Sequence, residues 1–255
     1  MAASPATFAG SLPPDLFDST TLVSLAATLV MLGAGYAASR AFLPENAKNS
    51  TRVLFVWHAF DALIHLVLEA GYLYNCFFSW IPVSSVAAED LASNRFYLPQ
   101  PASFLGRPDR IYGPQAGAIH GNPLASLWMV YARADRRWAG PDLGVISIEL
   151  LTVLIAGPMA IWICYEMVMR RTRVNVLMLI VATGEIYGGF MTFCPEWLVL
   201  NDNLDCSNFM YKWVYLFFFN TLWVWVPLYA MYVAISEISD AFAVRDAVTK
   251  GKKSS

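Results

Sequence analysis

The chain has 255 residues, 57% of them hydrophobic and 14% charged, with a formal net charge of −2. That charged fraction is far below the roughly 25% of ordinary soluble domains, and the near-neutral balance excludes an electrostatic nucleic-acid binder. The apolar residues fall in long blocks, and a block of about 20 crosses a bilayer as a helix.

Five blocks meet that length, at about 20–42, 53–80, 143–169, 174–193 and 213–235. They lack strand-like alternation and exceed the roughly 10 residues of a barrel strand. The predicted class is an all-α integral membrane protein with a single five-transmembrane-helix bundle, a long loop over 81–142 and a basic tail over 241–255.

The first span has no Lys or Arg ahead of it before Arg40. It therefore lacks the positive n-region of a cleaved signal and reads as a retained helix. A short loop with Arg40, Lys48 and Arg52 follows, and it carries the glycosylation sequon Asn49-Ser50-Thr51.

The second span carries His58, Asp61, His65 and Glu69, spaced 3, 4 and 4 residues apart. At about 100° per residue they share one narrow face. A charge at the bilayer centre costs about 2.5–3.5 kcal/mol on insertion scales, so these residues are functional candidates. The competing explanation is structural: a His and an Asp four apart satisfy each other. His58, near the membrane boundary, fits that explanation best.

The loop over 81–142 is rich in Pro, Gly and Ser around 99–123, and 124–138 carries a helical pattern. In the third span Glu149 and Thr152 stand three apart, on one face. The fourth span holds Glu185 among Thr183, Gly184, Tyr187, Gly188 and Gly189, small residues that permit close helix approach. The fifth carries Asn220 and Trp223, again three apart. The tail after 240 is expected to be mobile. Trp57, Trp80, Tyr211, Trp213 and Tyr215 sit near span ends, where aromatic residues anchor at the interface.

Lys and Arg in the short loops set the orientation. They cluster between spans 1 and 2, between spans 3 and 4 (Arg170, Arg171, Arg173) and in the tail. The N-terminus is predicted lumenal and the C-terminus cytoplasmic. The long loop is then lumenal despite Arg133, Arg136 and Arg137, since long loops count little. The terminal Lys252-Lys253-Ser254-Ser255 resembles a dilysine retrieval signal of the endoplasmic reticulum. Cys76, Cys164, Cys194 and Cys206 lack metal-type spacing and are expected to be free thiols; Cys194 and Cys206 lie toward the same side and are the one pair placed to bond.

Carboxyls on three helices, an imidazole, an amide and an indole inside hydrocarbon can move protons on an apolar substrate. The indole face stabilises a passing cation. No HExxH, nucleophile elbow or phosphate loop competes, so neither metal nor cofactor is expected.

Several segments resemble the emopamil-binding protein family, the sterol Δ8–Δ7 isomerases of the EXPERA group. They are Ile64-His65-Leu66-Val67-Leu68-Glu69-Ala70-Gly71-Tyr72, Trp128 to Arg136, Glu149-Leu150-Leu151-Thr152 with Gly157-Pro158, Gly184-Glu185-Ile186-Tyr187-Gly188, and Asn220-Thr221-Leu222-Trp223 before Pro227. The resemblance covers about 53–227. It implies a five-helix protein of the endoplasmic reticulum with a membrane-buried sterol cavity. Carried over, it makes His65, Glu69, Glu149 and Trp223 catalytic. Thr152, Asn220, Tyr131, Asp135 and Arg136 would contact substrate, with Asp61, Glu185 and Tyr187 beside them. Asp61 and Glu185 depart from the family pattern, in which a small or neutral residue and a Gln are usual.

The expected reaction is a cofactor-independent shift of a ring double bond in sterol biosynthesis. Two alternatives stand beside it: an isomerase or cyclase acting on another terpenoid, and a non-catalytic lipid-binding protein of the same fold. Expected partners are a sterol or terpenoid, membrane lipid and lipophilic amine inhibitors that mimic a carbocation, without nucleic acid. A second copy of the chain is a candidate partner.

Overall fold

A computed structural model describes residues 19–93, 95–99 and 103–253. The side chains of the dilysine segment, and Ser254 and Ser255, lie outside the described residues. Five helices are long and apolar enough to cross a membrane: α1 (Ser19–Phe42), α2 (Asn49–Phe78), α6 (Leu143–Val168), α7 (Val174–Leu198) and α8 (Met210–Lys250). The protein is a multi-pass, mostly helical membrane protein.

Helix α2 is the hub, with half of its apolar window buried against at most 28% for the other spans. It packs on α1, α6 and α8, while α7 packs on α6 and α8. A cluster of Leu54, Phe55, Ile163, Met178, Val181, Ala182, Ala230 and Ala234 holds one end of the bundle. The alanines let α7 and α8 approach closely, which is how helices associate in lipid. On α1, a Cβ added to Gly35 would stand 3.0 Å from the Val56 carbonyl oxygen, so the missing side chain sets that crossing too.

Arg52 closes the turn between α1 and α2. Its guanidinium donates to the carbonyls of Ser39 (2.8 Å) and Pro44 (3.0 Å), adding to the backbone bonds these accept from Leu43 and Ala47. Helix α7 runs five residues past the expected 193, through Pro195. It stops where Leu200 and Asn201 turn to positive φ (59° and 63°) and the Asn201 N–H reaches the Glu196 carbonyl at 2.7 Å. That is a Schellman ending. The tail expected to be mobile is helical through Lys253. From Leu228 to Lys250 it has neither Gly nor Pro to break the helix.

The long loop is an ordered cap. Strands β1 (Trp80–Pro82) and β2 (Arg110–Tyr112) pair antiparallel, with Ile81 opposite Ile111. Three short helices follow the chain: α3 (Ala88–Ala92), α4 (Pro114–Ile119) and α5 (Pro123–Tyr131). Asn122 caps α5 by accepting from the N–H groups of Leu124 and Ala125.

Three stretches of the spans are π-helical: Ile64–Glu69 in α2, Thr152–Ala156 in α6 and Met210–Phe219 in α8. Such wide turns loosen the backbone ladder and recur at functional sites. Here all three border the same cavity.

Candidate active site

The π-turn of α2 carries His65 and Glu69, both buried. His65 Nδ1 lies 2.5 Å from Glu69 Oε2, and Nε2 lies 3.0 Å from Asp61 Oδ1. Gly157 of α6 allows this approach, because a Cβ there would meet the His65 Cβ at 3.1 Å. On α6, Thr152 Oγ1 is 2.6 Å from Glu69 Oε2 and 3.1 Å from Glu149 Oε2. One hydroxyl carries one proton and cannot donate to both carboxyls at once. His65, Glu69, Thr152 and Glu149 thus form one continuous polar chain, and Asp61 approaches its His65 end at 3.0 Å without a hydrogen bond to Nε2.

Helix α8 adds two residues. Trp223 Nε1 donates to Asp61 Oδ1 at 2.8 Å, and its ring packs against Trp57 (5.3 Å between centroids, 62° between planes) and Phe60 (6.1 Å). Asn220 Nδ2 reaches the Tyr131 hydroxyl oxygen at 3.0 Å and the Tyr215 carbonyl at 2.8 Å. It therefore clips the cap to the loosened start of α8. Burial pushes the Tyr131 phenol above its ordinary range, so it stays a neutral donor.

These residues surround one cavity of about 900 Å³ between the spans. Its wall is mostly apolar. His65, Glu69, Tyr131, Glu149, Thr152, Glu185, Asn220 and Trp223 line it. Asp61 is fully buried and stands behind the wall, holding His65 and Trp223.

Three expected contacts lie elsewhere. Tyr187 is 65% exposed on α7 and outside the lining, because two residues past Glu185 is roughly the opposite side of a helix. Asp135 and Arg136 also do not line the cavity. Asp135 is bound to Arg137, which donates to it at 2.6 Å and 2.9 Å and to the Thr192 carbonyl at 2.6 Å. Burial works against the Arg137 charge, but Asp135 outweighs it and holds the guanidinium above its ordinary range. The pair fastens the cap to the end of α7. His58 is fully buried outside the lining, and neither of its ring nitrogens has a hydrogen-bond partner, so the expected mutual pairing with Asp61 is not seen. All four cysteines are free.

The site also contains what sequence reasoning passed over. Trp128 and Trp138 stack at 4.6 Å with their planes 4° apart, and both line the cavity. The Trp128 indole donates to the Leu68 carbonyl inside the α2 π-turn at 2.8 Å. Ser24 and Thr28 of α1 complete the wall. The spacing of 10 between the two tryptophans carries no periodic signal across an irregular turn.

Residues 123–234 match the family described as EXPERA, the expanded EBP superfamily. That segment contains α6, α7 and most of α8 with Glu149, Thr152, Glu185, Asn220 and Trp223. The matched segment, a little under half of the chain, is similar to the EXPERA family. Its similarity to a 3-beta-hydroxysteroid-Delta(8),Delta(7)-isomerase of Mus musculus is 26% identity over 240 residues, 92% of this chain and 80% of the relative. A probable isomerase of the same name from Oryza sativa subsp. japonica is 22% identical over 245 residues, 94% and 92% of the two chains. An isomeliandiol synthase of Melia azedarach is 27% identical over 106 residues, 42% of this chain and 49% of the relative. The relatives thus include sterol isomerases and proteins named for triterpenoid synthesis, which suggests an isomerase-like enzyme.

Proposed function

We propose that the protein shifts a ring double bond of a sterol from Δ8 to Δ7 by proton transfer within its membrane cavity. The observation that carries this reading is the unbroken chain His65–Glu69–Thr152–Glu149 along an otherwise apolar wall. A carboxyl or imidazole protonates the alkene at carbon 9, leaving a cation at carbon 8. A base of the same chain then removes a proton from carbon 7, and those electrons form the new double bond. His65, Glu69 and Glu149 handle the protons. The Trp223 indole faces the cavity as a cation stabiliser, while Thr152 and Asn220 fix positions. The names and coverage of the Mus musculus and Oryza sativa relatives support the sterol substrate.

A second reading, an alkene shift on another terpenoid, is favoured by one observation. Glu185 adds a carboxyl to the wall, and relatives named for triterpenoid products exist. The experiment that separates the two is conversion of a Δ8-sterol by purified protein in lipid nanodiscs, followed by mass spectrometry in D2O. Formation of the Δ7 product with one solvent deuterium supports the sterol reading. An intact, well-folded protein that leaves the sterol unchanged overturns it. Sterol binding without any deuterium uptake would mark a lipid-binding protein instead.

A further inference from the structure

The Glu69–Glu149 chain leaves other polar atoms of the site unused. Asp61 and His65 of α2 and Glu185 of α7 present carboxylate and imidazole atoms within 4.8 Å of one another. Glu185 is 8% exposed, and neither of its carboxylate oxygens has a hydrogen-bond partner. The second oxygen of Asp61 is likewise buried and unpartnered. A buried polar atom left unpaired works against stability, and a carboxyl O–H shared between Glu185 and Asp61 would pair these oxygens. Glu185, unlike Asp61, lines the cavity and can touch a ligand.

We propose that Glu185, backed by Asp61, is a second catalytic proton arm, and that His65 joins it to the Glu69–Glu149 arm. The inference rests on the reading of the cavity as a site of alkene shift. The Glu185 O–H gives its proton to one alkene carbon. The π pair forms the new C–H bond and leaves the neighbouring carbon cationic. The Glu69–Glu149 arm takes a proton from the carbon beyond, and those C–H electrons become the new double bond. His65 then resets the site. It accepts the proton at Nδ1, 2.5 Å from Glu69, and a small ring rotation brings Nε2, 3.0 Å from Asp61 but not hydrogen-bonded to it, into line to release one; Asp61 returns that proton to Glu185, and a flip of the imidazole restores the starting tautomer. One proton enters the substrate and one leaves, so no co-reactant is consumed.

The test uses the purified full chain in nanodiscs with Glu185→Gln, Glu185→Asp and Asp61→Asn. Gln keeps the shape and hydrogen bonding of Glu but cannot protonate carbon. The first readout needs no substrate: the infrared carbonyl absorption of protonated carboxylic acids should lose one component in Glu185→Gln relative to the wild type. The second is turnover of a Δ8-sterol. Glu185→Gln should lower kcat about 100-fold with KM moved less than about threefold, and Glu185→Asp should recover part of the loss. A protonated-carboxyl infrared band of undiminished intensity in Glu185→Gln overturns the arm whatever the sterol does. So does a Glu185→Gln variant that keeps more than about a third of wild-type kcat. So would one bound divalent cation per chain that Glu185→Gln abolishes, since the three residues would then be ligands. A wild type inert toward Δ8-sterol, with that infrared component still lost in Glu185→Gln, overturns the sterol reading and leaves the arm standing.

Discussion

The indole N–H of Trp223 donates to the same Asp61 oxygen that stands 3.0 Å from His65 Nε2. One buried carboxylate therefore holds the Trp223 ring on α8 and stands against the His65 ring on α2, and on the proposed mechanism it would position both. Asp61→Ala should lower turnover through both, with the loss in kcat rather than KM. Asp61→Asn, which still accepts from Trp223, should retain more activity than Asp61→Ala. Steady-state kinetics of the two variants decide it, and equal loss in both would remove the orienting role.

Glu69 and Glu149 meet at one Thr152 hydroxyl. Glu69→Gln and Glu149→Gln should each lose about 10²–10⁴-fold in turnover, the usual worth of one acid–base group. Both variants should still insert and purify as folded protein. Near-normal conversion by either would take that residue out of the proton chain.

Lipophilic amines should bind the cavity as mimics of the transient cation, in the manner of transition-state analogues. Affinity should fall about tenfold, 1.4 kcal/mol, or more for Trp223→Ala and for Glu69→Gln. The control is a neutral carbon isostere of the same amine in a radioligand competition. Equal affinity of amine and isostere would show that shape alone is recognised.

Asp135 and Arg137 are a buried ion pair, 0% and 5% exposed at the side chain. Asp135→Leu leaves the guanidinium with Glu196, 3.5 Å away, as its remaining carboxylate and should destabilise the protein by about 3 kcal/mol. Asp135→Leu combined with Arg137→Met should recover much of that loss. Thermal unfolding in detergent measures both, and an unchanged midpoint for Asp135→Leu would mean that the pair does not hold the cap.

Asn49 opens α2 directly after a short turn that Arg52 ties back to α1. With Arg40, Lys48 and Arg52 around it, that turn is expected on the cytoplasmic side. Asn49 should therefore carry no glycan, and a C-terminal tag should be protease-accessible in intact microsomes. An endoglycosidase-sensitive mass shift that disappears in Asn49→Gln would invert the orientation.

The sequence by itself determined five spans and the face on which His65, Glu69, Glu149, Thr152, Asn220 and Trp223 stand. Hydropathy blocks and the helical period are local properties, and a polar residue in hydrocarbon has few places to turn. Tertiary structure decided which of those faces meet. A π-turn adds a residue to a helix and shifts everything after it, so the registers of His65 to Glu69 and of Thr152 could not be read from an ideal helix. The choice of Arg137 over Arg136 came from a short 3-10 turn at Arg136–Ala139, where Asp135 also accepts from the Arg137 backbone N–H at 3.2 Å. The convergence of Glu185 on Asp61 belongs to the packing of α7 against the bundle, which no spacing along one chain encodes. Tyr187 was the opposite case: its place two residues after Glu185 already put it on another side of α7.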